Sequence, residues 1–159
     1  MKTMYRLITV AVASLLAIFT LTQCASDPCK NVNCNSGRCS DGECICSLPY
    51  EGRNCEIDAR SKFLGTWRGR ETCGPESHDI TYTIQSSSDG KLRITDNILE
   101  ITYSANLTSS NAFSIPSQVV DGITVSGQGS LNGTTLTLNH SYIDDEGNTG
   151  SCSASLTRQ

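Results

Sequence analysis

Histidine occurs twice in this chain, tryptophan once and phenylalanine three times. No stretch carries the i, i+3, i+4 apolar spacing of an amphipathic helix over three turns. Each scarcity excludes something. Two histidines, His78 and His140, leave little material for acid–base chemistry. No Gly-x-Ser-x-Gly elbow presents a serine nucleophile, so a catalytic residue is not expected. No glycine-rich phosphate loop runs into a helix, and no cofactor is expected. Positive charge is also short: 12 Lys+Arg stand against 16 Asp+Glu, a formal net charge of −4. An acidic chain with scattered bases is a poor match for nucleic acid. The longest apolar run falls short of the ~20 residues that span a bilayer as a helix.

That run, Leu7 to Leu21, follows Lys2 and Arg6. As a helix it would be only ~22 Å long, so it reads as a signal peptide over residues 1–23. It ends in Leu21-Thr22-Gln23-Cys24. This resembles the lipobox of bacterial lipoproteins, in which the cysteine becomes the first mature residue and carries acyl chains. Gln23 stands where such motifs usually have Gly, Ala or Ser. The alternative is plain secretion with cleavage near Ala25. The count favours lipidation of Cys24: nine cysteines are odd, and an odd cysteine in an exported protein needs an explanation. Processing there removes Lys2 and Arg6, taking the formal charge from −4 to −6. Residues 24–28 then serve as a lipid-anchor tether. With no Asp directly after Cys24, the resemblance implies the outer membrane or cell surface, reached through this anchor.

Six cysteines crowd between Cys29 and Cys55 in the spacing C-x4-C-x4-C-x4-C-x-C-x8-C, with Tyr50 and Gly52 before the last. Only Val32, Ile45, Leu48 and Tyr50 supply sizeable apolar side chains there, too few for a core. Covalent staples must replace it, and staples persist only outside a reducing compartment. A zinc site is the competing reading, but closed zinc sites favour paired C-x2–4-C ligands. The segment 29–55 resembles an EGF-like module, most closely over Cys44–Cys55. The resemblance implies the pairs Cys29–Cys39, Cys34–Cys44 and Cys46–Cys55. Calcium-binding members carry acids ahead of the first cysteine; here only Asp27 does, so no metal is expected in the module. Asp144-Asp145-Glu146 is the densest oxygen cluster elsewhere, and it reads as a solvated hairpin tip.

After a charged linker over 56–61, residues 62–159 change character. Ser and Thr approach a third of the segment, and β-branched residues dominate. Alternation sets Ile80, Tyr82 and Ile84 on one face, and likewise Leu99, Ile101 and Tyr103; Ile123 and Val125; and Leu136, Leu138, His140 and Tyr142. Asp89-Gly90, Asp121-Gly122, Asn132-Gly133 and Glu146-Gly147-Asn148 mark turns between them. About eight strands with no intervening helix mean an all-β, antiparallel domain, either a β-barrel or, second, a β-sandwich.

The opening Phe63-Leu-Gly65-Thr-Trp67 resembles the Gly-x-Trp first strand of lipocalin-like proteins. Cys73 lies at the end of that strand or just after it, and Cys152 lies in the last candidate strand, Ser151–Arg158. These two cysteines remain once the module and Cys24 are accounted for, so they form the pair Cys73–Cys152 and join first strand to last. If Cys73 faces Cys152, Trp67 faces Arg158, and Glu71 falls beside Ala154 on the inner face. That conflict calls for a bulge near Thr72 or another register. His78 is expected on a loop and His140 at the rim.

These readings describe an exported, lipid-anchored, non-enzymatic binding protein. The EGF-like segment is the stalk. The β-domain binds a small apolar ligand, a glycan or a surface protein through Trp67, Tyr82, Ile101, Tyr103, Leu138 and Tyr142. The alternatives are a structural spacer without a cavity, or an enzyme with a site at the barrel mouth around His140.

Overall fold

The computed structural model describes residues 26–159; the leader 1–23 and Cys24 lie outside the described residues. The chain opens on a stapled hairpin. Strand β1 (Gly37–Ser40) pairs antiparallel with β2 (Glu43–Cys46) across Asp41-Gly42, both at positive φ. Disulfides Cys29–Cys39, Cys34–Cys44 and Cys46–Cys55 hold it. Its buried apolar residues are Cys34 and Cys55, so sulfur takes the place of a hydrocarbon core.

The stretch read as a linker is ordered. Strand β3 (Tyr50–Glu51) pairs with β4 (Ile57–Asp58), and a 3-10 turn, Ala59–Lys62, follows at once. Asp58 caps that turn by accepting from the Arg60 backbone N–H, and it grips the Arg60 guanidinium at 2.6–3.0 Å. Ala59 donates its N–H to the Pro49 carbonyl at 2.8 Å and is fully buried. Lys62 reaches back to Glu51 at 2.7 Å and sideways to Asn111 at 3.0 Å. The charges of this segment are therefore spent on partners within the fold rather than on solvent.

Eight strands follow: β5 (Gly65–Cys73), β6 (Glu76–Ser86), β7 (Leu92–Asp96), β8 (Thr102–Ser109), β9 (Ala112–Val120), β10 (Ile123–Asn132), β11 (Thr135–Ile143) and β12 (Thr149–Arg158). Each pairs antiparallel with the next, and β12 pairs with β5, so the sheet is a closed up-and-down barrel and the sandwich is excluded. Closure leaves no exposed edge. In the closing pair Cys152 stands opposite Cys73, Ala154 opposite Glu71 and Arg158 opposite Trp67. The Cys73–Cys152 disulfide ties it, with Cα atoms 4.2 Å apart.

Period-two alternation turns one side of each strand inward. Trp67, Tyr82, Ile84, Leu92, Ile94, Phe113, Leu136, Leu138 and Leu156 are buried in one core. The lower end, where the chain arrives from the stapled segment, is plugged. Phe63 packs edge-on against Phe113 at 5.3 Å, Trp67 Nε1 donates to the Phe63 carbonyl, and the Arg158 guanidinium lies 4.9 Å over the Trp67 ring. Gly129 makes room for this plug: a Cβ there would stand 2.1 Å from Phe113 Cζ.

Three expectations need correction. No bulge or register slip carries Glu71 outward; it points inward and is buried. His78 lies on β6 opposite Glu71, not on a loop, because β6 begins at Glu76 after a two-residue turn. Leu99 is not on the inner face with Ile101 and Tyr103; it is exposed in the 97–101 connection. Glu100 there has φ of +58°, which breaks the alternation between Leu99 and Ile101.

Candidate functional site

At the upper end, opposite the plug, the barrel interior is hollow. Strand direction decides which residues meet there: β5, β7, β9 and β11 finish at this end and β6, β8, β10 and β12 begin at it. A cavity of about 390 Å³ opens between the 97–101 and 144–148 connections. Ile80, Ile101, Ile123 and Val125 give it apolar walls, with Ile98 and Leu99 at the mouth. Glu71, Asp96, Tyr103 and His140 contribute polar groups to its lining, together with His78, Tyr142 and Asp144.

Glu71 is the centre of this polar group. It is 4% exposed, yet Tyr82 Oη donates to its Oε1 at 2.8 Å. His78 Nε2 lies 3.4 Å from Oε2 and His140 Nδ1 lies 3.8 Å from Oε1. The inward acid is thus accommodated by a polar cluster rather than by a change of register. A buried carboxylate without partners would cost several kcal/mol or give up its charge. Asp96, 5% exposed, accepts the backbone N–H groups of Ile98 and Leu99 and so fixes the turn after β7.

Two polar atoms at this floor have no partner: Tyr103 Oη and His140 Nδ1. Burial pushes the Tyr82 and Tyr103 phenols up, Asp96 and Glu71 adding to it, so both keep their protons at physiological pH. Burial pulls His140 below the usual imidazole range, against the opposing pull of Glu71 and Asp96. His140 is therefore a neutral ring beside a carboxylate. Cys152 Sγ is also near Glu71 and His140, but it is bonded to Cys73 and offers no thiolate to a metal.

Of the residues expected to bind ligand, Ile101, Tyr103 and Tyr142 line this cavity. Tyr82 is buried beneath it and acts through its bond to Glu71. Leu138 is not at the cavity; it is part of the filled core. Trp67 is at the other end, lining a shallower depression with Lys62, Asn111, Leu131 and Arg158. A single inward face runs the length of the barrel, so sharing a face does not mean sharing a site. Glu71, Ile80, Asp96, Ile98 and Leu99 also line the cavity, although none of them was expected to bind ligand. Asp96 had a usable signal, since it continues the Leu92, Ile94 alternation.

Asp144, at the mouth, turns inward on its own hairpin. It accepts from the N–H groups of Glu146 and Asn148 and from the Asn148 amide, which together hold its carboxyl below the usual range.

No protein-family model matches this chain. Its fold is similar to that of a protein of unknown function from the DUF3598 family of Nostoc punctiforme. The two share 16% identity at a TM-score of 0.45, over 63% of this chain and 49% of that one. The chain thus spans about half the length of that protein.

Proposed function

We propose that the protein is an exported, non-catalytic binding module that takes a small, mostly apolar ligand into the upper end of its barrel. The observation that carries this reading is the division of the interior. Phe63, Trp67 and Phe113 close the lower end, whereas the upper end holds about 390 Å³ of space with apolar walls and a polar floor. Volumes of ~300–1,000 Å³ with a few convergent polar groups are typical of small-molecule sites. Among the described residues the lining contains no serine, and its two cysteines are joined to each other, so neither residue type offers a nucleophile there.

Four disulfides point to an extracellular or exported protein. In this reading the stapled segment is an EGF-like stalk, the barrel is lipocalin-like, and acylated Cys24 anchors the whole to a membrane. Stalk and cavity stand at opposite ends of the barrel, so an anchored molecule would open its mouth away from the lipid. The ordered 57–62 segment supports a stalk that holds that orientation.

N-phenyl-1-naphthylamine, a neutral dye that brightens in apolar surroundings, tests the cavity. Wild-type protein should enhance its emission, and Val125→Phe, which fills the space from β10, should abolish the enhancement while the far-UV spectrum stays unchanged. Equal brightening by both proteins would place the dye elsewhere and remove this reading.

A further inference from the structure

The walls of the cavity say apolar ligand; its floor says more. Two buried carboxylates, Glu71 and Asp96, face the space, and among the described residues no lysine or arginine lines it. Asp96 is occupied by two backbone N–H groups. Glu71 has a neutral phenol, Tyr82, on one oxygen. The remaining bases are histidines: His140, held neutral by burial, and His78, whose side chain is 45% exposed at the rim. The floor therefore gathers carboxyl, phenol and imidazole acceptors behind low-dielectric walls with no lysine or arginine among them, an arrangement that suits a cation with hydrogen-bond donors.

The unpartnered atoms give that cation a shape. Tyr103 lines the cavity and is only 3% exposed, and its buried hydroxyl has no hydrogen-bond partner within bonding distance. His140 Nδ1 is likewise buried and unbonded, within 3.8 Å of Glu71 Oε1. Phenol oxygen, neutral imidazole nitrogen and carboxylate can all accept hydrogen bonds, and a primary ammonium group offers three donors. We propose that the cavity selects an amphiphilic amine: an apolar body against Ile80, Ile101, Ile123 and Val125, with its protonated nitrogen bound by Glu71, Tyr103 and His140. This rests on the reading of the cavity as a ligand site.

The test uses two probes of equal shape, octylamine and octan-1-ol, titrated into disulfide-intact protein at pH 7.5. Calorimetry gives affinities, and 15N-edited NMR shifts locate the binding. Octylamine should bind at least about 10-fold more tightly, as charge-assisted hydrogen bonds are worth more than neutral ones. Glu71→Gln should bring the ratio near one. Tyr103→Phe, which removes one acceptor and little volume, should lower it several-fold even if the Glu71 variant does not fold. If both probes shift cavity amides with equal affinity, the amine assignment falls and the apolar site stands. If neither shifts them, both readings fall together. A third arm adds zinc ions: binding at micromolar concentration that blocks octylamine would assign the acid and the histidines to a metal instead, and overturn the proposal.

Discussion

Glu71 shows how one residue can organise an end of a barrel. Its carboxylate holds Tyr82 from β6 and stands beside His78 on β6 and His140 on β11, so three strands converge on one group. His140 carries a consequence for pH. It faces Glu71 and Asp96, with Tyr103 and Tyr142 lining the same cavity, and its folded pKa is depressed chiefly by burial. The unfolded chain, with imidazole near ~6.5, then takes up a proton before the folded chain does. Stability should be fully present above about pH 6.5 and decline as pH falls from there toward the folded value. His140→Gln should flatten that decline in denaturant melts between pH 7.5 and 5. An unchanged slope would locate the acid sensitivity elsewhere. Gly129 gives a second residue-scale expectation. Gly129→Ala forces a methyl group into the Phe113 ring and should cost about 1–3 kcal/mol, read as a lowered denaturation midpoint.

At the scale of elements, the β5–β12 pair decides the fold. It brings the two ends of the barrel sheet together, the pairing with the longest sequence separation among the barrel strands. The Cys73–Cys152 bond closes a loop of 79 residues across it. Cys152→Ser should lower barrel stability by about 4–5 kcal/mol in the chain-entropy picture and leave the three front disulfides formed. Thermal unfolding with disulfide mapping reads both, and an unshifted melt would show that the bond does little. Alternation made most strands visible: the inward residues of β6 and β11 can be read directly from Ile80, Tyr82, Ile84 and Leu136, Leu138. The 97–101 connection was misread because one residue at positive φ resets the alternation, and Glu100 has no glycine to announce it. The 56–62 segment looked like a connector because its charges are dense. Which charge meets which partner depends on folding back, as Lys62 does onto Glu51.

For the whole molecule, the question is how the stapled front is joined to the barrel. Backbone pairing of β3 with β4, the Ala59-to-Pro49 bond and the Lys62 contacts leave no free hinge between them. 15N relaxation should return one rotational correlation time for residues 29–55 and 65–158. Two distinct values would show a joint the contacts do not suggest. Mature-protein mass spectrometry addresses the other end: an acylated Cys24 as first residue is expected, and an unmodified chain starting elsewhere would dispose of the lipid anchor.

Composition, cysteine spacing and alternation were enough to establish an antiparallel all-β protein with a sulfur-stapled front, because strand period and core size are local properties of the chain. Depth along the barrel axis is not local. Trp67 and Tyr103 share an inward face, yet one seals the bottom and the other opens into the cavity. Only closure of the sheet sets the stagger of its strands, and with it the meeting of Glu71, Tyr103 and His140 around one empty space.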